Sequence, residues 1–186
     1  MTETHEQTGA GDIADTVTEF DMIFNQHWSR VYAVLFRITG DESESEDLAL
    51  EIFWKLYRRM ENNISASRIH SLSGWLYRAA ANAGLNALRS RKRRERYESE
   101  SGIASLEEGM VQDPAETVEN AEESAQVRRV LASMKSRAAK LLILRYSGLS
   151  YAEIAVALRV SPGSVGTLLA RAEKVFEERY CELEGR

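Results

Sequence analysis

Apolar residues recur along most of the chain at the three- and four-residue spacing of an amphipathic helix, and β-branched runs that alternate with period two are absent. The first apolar stripe consists mainly of large side chains: Phe20, Phe24, Trp28, Val31, Leu35 and Ile38. It stops at Gly40, and glycine commonly follows the C-terminus of a helix. The pattern therefore predicts an all-α fold that includes a first helix ending near Gly40.

Two further helices are predicted before residue 97. The second begins in the acidic segment 41–47, where the helix dipole favours negative side chains. Its apolar positions are Leu48, Ile52, Phe53, Leu56 and Met60. A third predicted helix starts near Ser73 and ends in the run 89–96, in which six residues are Arg or Lys.

The charges are segregated along the chain, although its overall net charge is −5. Residues 1–19 and 97–123 carry acidic side chains and neither Lys nor Arg, so the segments between and after them are net basic. Two basic modules favour two contacts with nucleic acid. We interpret the chain as two small helical domains joined by an acidic flexible linker. The predicted boundaries are an acidic tail 1–19, a first module 20–96, a linker 97–116 and a second module 117–186.

The second module is predicted to contain helices at about 117–134, 136–146, 150–158 and 162–180. Ser150 and Glu153 have the spacing of a capping box, which places a helix start at Ser150. Two short helices with a turn at Val160 would pack through small and apolar side chains: Tyr151, Ile154, Ala155 and Leu158 on one, and Val165, Leu168 and Leu169 on the other. This is the pattern of a helix-turn-helix. Arg159 lies in the turn, at a position where a left-handed backbone is expected and where glycine would avoid the strain of that conformation.

No group of residues indicates catalysis or a cofactor. Cys181 is the one cysteine, and the histidines at 5, 27 and 70 have no partner at a metal-binding spacing, so no metal site is expected. A Gly-rich phosphate loop is absent. Neither a signal peptide nor a membrane-spanning run is recognised, which predicts a cytoplasmic protein that is not inserted in a membrane.

Two blocks of sequence together resemble a known family. The stretch from FDMIFNQHW to FWKLYRR, the following GWLYRAAANAGLNALRSRKRR, and the later LRYSGLSYAEIAVALRVSPGSVGTLLARAEK occur in the order found in bacterial RNA polymerase sigma factors of the extracytoplasmic-function group. The resemblance covers about residues 20–96 and 117–180. It implies a non-enzymatic protein that binds core RNA polymerase and promoter DNA, and many members of this group also have an anti-sigma partner. No small-molecule substrate is implied.

The resemblance also implies roles for particular residues in the first module. Its second helix would bind the polymerase clamp, through Glu46, Asp47, Leu50, Glu51 and Trp54. Its third helix would approach the −10 promoter element, through Trp75, Asn82, Asn86 and Arg89, and the loop from Asn62 to His70 would capture a flipped base. The basic residues Arg91, Lys92, Arg93 and Arg94 would contact phosphates.

In the second module the resemblance implies that the helix after SPGS reads the −35 promoter element. The family usually has basic residues where this chain has Gly166, Leu168 and Ala170. The remaining candidates for DNA contact are polar or basic: Ser161, Ser164, Thr167, Arg171 and Lys174. This set favours phosphate contacts over base reading, so we expect weak discrimination at the −35 element.

Two other functional classes remain open from the residues alone. One is a stand-alone helix-turn-helix transcription regulator that binds DNA without polymerase. Such regulators usually bind paired half-sites as dimers, and the sequence shows no heptad seam for dimerisation. The other is an interaction protein, in which the second helix of the helix-turn-helix docks on another protein. Salt dependence distinguishes it, because phosphate binding weakens steeply with salt and an apolar contact does not.

Overall fold

A computed structural model describes residues 7–61, 71–101 and 118–185, and within these ranges the chain is helical without a strand. The helices are α1 (Gln7–Thr39), α2 (Glu42–Glu61), α3 (Leu72–Ser101), α4 (Val118–Ser133), α5 (Ser136–Tyr146), α6 (Tyr151–Leu158) and α7 (Val165–Glu184), with a short 3₁₀ turn (Pro162–Ser164) before α7. The predicted all-α fold is confirmed. In the described ranges, no helix is both long enough and apolar enough to span a membrane.

The turn between α1 and α2 is fixed by glycine and by short polar side chains. Gly40 has a φ of 67°, a backbone conformation that ends the helix at Thr39. The buried hydroxyls of Thr39 and Ser45 lie 2.7 Å apart and form a hydrogen bond. An Asp41 carboxylate oxygen accepts a hydrogen bond from the backbone N–H of Glu44 at 2.7 Å. The acidic start predicted for the second helix is therefore a side-chain cap.

The first module, α1 to α3, packs around an apolar core whose centre is aromatic. Val31, Leu35 and Ile38 of the predicted stripe are fully buried. The ring of Phe53 in α2 lies 4.8 Å from that of Phe24, and three half-buried aromatic residues of α1 surround it: Phe20, Phe24 and Trp28. Aromatic pairs at these distances add to the stability that burial alone provides.

Two helices are longer than the sequence analysis predicted. Helix α1 begins at Gln7 and not near Phe20, because Ile13, Val17 and Phe20 continue the helical spacing of apolar residues toward the N-terminus. Helix α3 continues past residue 96 to Ser101, and Gly102 is the first glycine after Gly84. The remainder of the predicted linker, and the loop from Asn62 to His70, lie outside the described residues.

The second module contains the predicted helix-turn-helix. Ser150 and Glu153 form a complete capping box at the start of α6, as predicted. Arg159 ends α6 with φ 55° and ψ 53°, which is the left-handed conformation predicted for this position. Tyr151 was expected on the inner face, but its side chain is 47% exposed and the guanidinium of Arg145 lies 5.5 Å from its ring centre. The inner face is instead formed by Ile154 and Ala155.

The two modules pack against each other along α3, which contacts α4, α5 and α6. Gly74 allows the closest approach, because a Cβ there would lie 2.6 Å from Cγ1 of Val156 in α6. Two arginines of α3 donate hydrogen bonds to carbonyl groups of the second module. Arg78 bonds to Ala157 at 3.4 Å, and Arg89 bonds to the end of α4.

Candidate functional site

The predicted polymerase-binding residues lie together on the outer face of α2. Glu46, Asp47 and Glu51 are exposed, and they flank Leu50 and Trp54. These two apolar side chains are 52% and 58% exposed, although large apolar residues in a folded chain are usually buried. The ring of Trp54 stacks on Tyr57 at 5.9 Å, which fixes its orientation. The face therefore combines an ordered apolar centre with an acidic border, and such a surface suits a basic protein partner.

The same face is separate from the residues that α2 uses for folding. The buried side chains of α2 lie on its opposite side: Ser45, Ala49, Ile52, Phe53, Leu56 and Met60. Glu51 forms an exposed ion pair with Lys55 at 2.7 Å, one turn further along the helix. Substitutions at Leu50 or Trp54 therefore remove exposed surface without opening a cavity in the core.

Most of the residues predicted to approach the −10 element lie in one row along α3. Trp75, Asn82, Asn86, Arg89 and Arg93 are spaced by seven, four, three and four residues, which places them on the same side of a helix. Asn86 and Arg93 are exposed, whereas Trp75 and Asn82 are half-buried. The structure thus brings together the predicted amide and basic side chains of this group.

At one end of this row, the guanidinium of Arg59 covers the ring of Trp75, with its carbon 5.0 Å from the ring centre. This cation–π contact joins α2 to α3. Further along α3, a cleft of about 520 Å³ is lined by Asn86, Arg89, Lys92 and Arg93. Ala132 of the second module also lines this cleft, so the second module borders the predicted DNA-binding row.

Arg91 lies on the other side of α3 from this row. Its guanidinium forms an ion pair with Glu44 and donates a hydrogen bond to the backbone oxygen of Thr39 at 3.3 Å. Both acceptors belong to the junction between α1 and α2. The side chain is thus engaged in holding three helices together, and the phosphate contact predicted for Arg91 would require these bonds to break. Lys92 and Arg94 are exposed.

Arg89 is also engaged within the protein. Its Nη2 donates to the backbone oxygen of Met134 at 3.0 Å, and its Nε donates to that of Ala132 at 3.4 Å. Carbonyl groups at the end of a helix lack partners within the helix, and a cation there also opposes the negative end of the helix dipole. Arg89 therefore connects the predicted DNA-binding row of the first module to the C-terminal end of α4.

The candidate DNA contacts of the second module form an exposed row on α7. Thr167, Arg171 and Lys174 are all exposed and are spaced by four and three residues. Before the helix, Ser164 is half-buried and its hydroxyl donates to the backbone oxygen of Ser161 at 2.7 Å. Ser161, the other serine among the candidates, is exposed, and its side chain makes no capping bond at the 3₁₀ turn that precedes α7.

His27, on α1, is half-buried against α3. Its Nδ1 lies 3.3 Å from the hydroxyl oxygen of Tyr77, which is buried in α3. Burial, with a smaller contribution from the charge of Arg30, lowers the pKa of His27 below its usual value. Within the described residues, no three His, Cys, Asp or Glu side chains are grouped so that they could hold a metal ion.

Sequence reasoning missed the residues that join the modules. Arg30, Arg78 and Gly74 are each ordinary residues on a helical surface when only local spacing is considered. Each contacts α6, where Arg30 pairs with Glu153, Arg78 donates to the backbone oxygen of Ala157 and Gly74 packs against Val156. Such contacts between distant segments have no local signal.

Comparison with known proteins assigns the class to which this fold belongs. Residues 23–94 match the family model Sigma-70 region 2, and residues 124–175 match the model Sigma-70, region 4. The first match corresponds to the module of α1 to α3. The second contains the helix-turn-helix and its row of exposed residues on α7.

Individual relatives agree with these matches. The chain is 30% identical to the RNA polymerase sigma factor YlaC of Bacillus subtilis, over 81% of this chain and 85% of that protein. It is 29% identical to the ECF RNA polymerase sigma factor SigM of the same organism, over 86% of this chain and 94% of that protein. The fold is similar to that of the sigma factor RpoE of Bartonella quintana, crystallised with the anti-sigma factor NepR, at a TM-score of 0.52 and 16% identity, over 87% of this chain and 96% of that one.

The chain therefore belongs to the extracytoplasmic-function group of the sigma-70 family of RNA polymerase sigma factors. Its function is promoter recognition and transcription initiation with RNA polymerase. This membership decides against the stand-alone regulator and the interaction protein considered from the sequence, because neither class has both sigma-70 regions in this order.

Proposed function

We propose that the exposed face of α2 is the main contact of this sigma factor with core RNA polymerase. The observation that carries the proposal is the exposure of Leu50 and Trp54 within a border of carboxylates. An apolar centre provides affinity once it is covered, and the surrounding charges orient a basic partner during association. Glu46, Asp47 and Glu51 provide these charges.

The proposal extends to promoter DNA. The row on α3 would approach the −10 element, where Asn82 and Asn86 offer amide groups for bases and Arg93 offers a charge for phosphates. Arg89 would join them after releasing the end of α4. The row on α7 would hold the −35 element, mainly through Arg171 and Lys174. The polymerase supplies the catalytic chemistry, so the chain itself acts without a cofactor.

Two properties implied by the family complete the proposal. The chain would act in the cytoplasm, where polymerase and promoter are present. An anti-sigma protein would bind it and prevent its activity, as the co-crystallised partner of the Bartonella quintana structure suggests by analogy. The acidic linker would pass through a basic channel of polymerase as a mimic of nucleic acid.

The polymerase contact is tested with a double variant, Asp47→Arg with Trp54→Ala. We expect it to lose stable association with core polymerase at physiological salt and to lose promoter-dependent transcription in a reconstituted reaction. Asp21→Arg with Met22→Ala is the matched control, because it changes an exposed acid and an exposed apolar residue on α1, where Met22 is 61% exposed. If the α2 variant binds polymerase as well as this control, the assigned surface is wrong.

A gel-shift experiment checks that polymerase is required for promoter binding. Promoter DNA is incubated with the chain alone, with core polymerase alone, or with both. The proposal expects a specific complex only when both proteins are present. A specific complex with the chain alone, at a similar concentration, would contradict it.

A further inference from the structure

A cleft between the two modules concentrates positive charge. It has a volume of about 410 Å³, and it is lined by Arg78 of α3, Arg137 and Lys140 of α5, and Arg159 at the end of α6. Ser136 and Leu158 complete the lining, so no carboxylate lines this cleft among the described residues. Cations from three helices, and from both modules, therefore face one small volume.

These charges are not neutralised by ion pairs within the part of the chain that the structure describes. The pKa of Arg78 is lowered by burial and by the nearby charge of Arg159. The pKa of Lys140 is lowered by burial and by the charges of Arg89 and Arg78. Like charges that are held close together and partly removed from water destabilise one another, and an anion between them would relieve this repulsion.

The first turn of α5 borders the same cleft. Helix α5 begins here, and its capping position, Lys135, makes no side-chain capping bond. The first N–H groups of an α-helix have no partners inside the helix, and the N-terminal end carries a partial positive charge. Ser136 and Arg137 in the first turn of α5 both line the cleft. The cleft thus combines basic side chains with an uncapped helix start, an arrangement that favours phosphate groups.

We propose that this cleft binds a small anion with two or three linked phosphate groups, which bridges the two modules. Four cations from both modules line the cleft, and this concentration of positive charge matches the negative charge of a short phosphate chain. Because Arg78 belongs to the first module and the other three cations to the second, the bound anion holds the modules together. None of the residues that line the cleft belongs to the surfaces proposed above for polymerase and promoter.

The proposal is tested on the full chain with inorganic triphosphate, by calorimetric titration and by thermal unfolding at constant ionic strength. Binding to the folded chain raises the unfolding midpoint. Removing one charged contact, in Lys140→Gln or in Arg159→Gly, should weaken affinity about tenfold. Arg159→Gly keeps the fold, because glycine adopts the left-handed conformation of this position without strain. Arg145→Gln is the matched control, since Arg145 is an exposed cation of α5 outside the cleft.

Three further comparisons make the result decisive. If Arg145→Gln weakens binding as much as Lys140→Gln does, or if sulfate at equal ionic strength raises the midpoint equally, the attraction is general and the site is refuted. Arg78→Gln must also weaken affinity, because unchanged affinity would contradict the bridge between modules. Parallel titrations with a nucleoside triphosphate identify the source of the phosphate chain, and no binding of either compound would overturn the proposal.

Discussion

Arg30 in α1 and Glu153 in α6 form an ion pair between the modules, with 2.7 Å between Nη1 and Oε1. The other carboxylate oxygen of Glu153 accepts hydrogen bonds from the backbone N–H and the hydroxyl of Ser150, each at 2.8 Å. These bonds to Ser150, with the charge of Arg30, lower the pKa of Glu153. One side chain thus closes the capping box of the helix-turn-helix and also contacts the first module.

The two roles of Glu153 should separate by mutation. Arg30→Gln should lower the free energy of unfolding by less than about 1 kcal/mol, because the pair is largely exposed. Glu153→Gln should have a similar effect, since glutamine still completes a capping box. Glu153→Ala should cost about 1 kcal/mol more, because the cap is also lost. Urea unfolding measures all three, and equal losses for the Gln and Ala variants would show that the cap contributes nothing.

The contact between α1 and α3 at Gly84 should tolerate no larger side chain. A Cβ at this position would lie 2.6 Å from Cδ1 of Ile38, so Gly84→Ala should destabilise the chain by about 1–3 kcal/mol. Ile38→Val removes this Cδ1 and should restore part of the loss when the two changes are combined. Thermal unfolding of the single and double variants measures the coupling energy between residues 38 and 84.

Gly166 provides the control for this prediction. A Cβ there would make an ordinary contact, 3.6 Å from Cε2 of Tyr151. Gly166→Ala should therefore be neutral or stabilise α7 by up to about 1 kcal/mol, because alanine is the better helix former. If both Gly→Ala variants lose the same stability, close packing is not the reason for Gly84.

Mild acid should weaken the fold through His27. Because burial lowers the pKa of His27 in the folded chain, the unfolded chain binds a proton more readily once the pH falls below the usual value of 6.5. The contribution of His27 to the free energy of unfolding is thus fully present above pH 6.5, and it is lost as the pH falls toward the lower pKa of the folded state. Urea midpoints at pH 7.5 and 5.5 should differ more for the unmodified chain than for His27→Gln. An equal difference in both would remove His27 as the cause.

The exposed row on α7 should bind DNA without strong sequence preference. In a reconstituted transcription reaction, a library with a randomised −35 element should give a shallow preference, and a sharp one would contradict this expectation. Arg171→Ala and Lys174→Ala should each weaken promoter binding to a similar extent for all sequences. Each should also reduce the slope of log affinity against log salt concentration by about one. Arg179→Ala is the control on the same helix, because Arg179 donates to the backbone oxygen and hydroxyl of Ser133 and faces the protein.

Local sequence patterns predicted several helix ends well, although α1 begins at Gln7 and not near Phe20. The predicted segments 136–146 and 150–158 agree with α5 and α6 to within a residue, and the left-handed Gly148 and the capping box of Ser150 mark the boundary between these two helices. The left-handed Arg159 was predicted for a similar reason, since the turn of a helix-turn-helix has a fixed geometry. The candidate residues on the outer face of α2 came from the resemblance to sigma factors, and the structure shows that the side chains of Leu50 and Trp54 are exposed.

Contacts between distant segments were not predictable from these patterns. Arg91 and Arg93 are two residues apart in one basic run, yet one forms an ion pair with Glu44 and the other lies in the exposed row. A rotation of about 200° separates two such positions on a helix, so spacing shows that they differ but not which one faces a carboxylate. The same limit applies to Arg89, whose partners lie more than forty residues away.

The bonds from Arg89 to the end of α4 give the proposed DNA contact a consequence for the order of assembly. With Arg89 assigned to promoter DNA, the DNA and the second module compete for this guanidinium, so the apparent affinity for DNA is reduced in proportion to the fraction of molecules in which the modules are apart. No such competition affects Leu50 and Trp54, which are already exposed while the modules are together. On these proposed assignments, polymerase has an accessible surface before DNA does, which favours a search for promoters by the assembled enzyme.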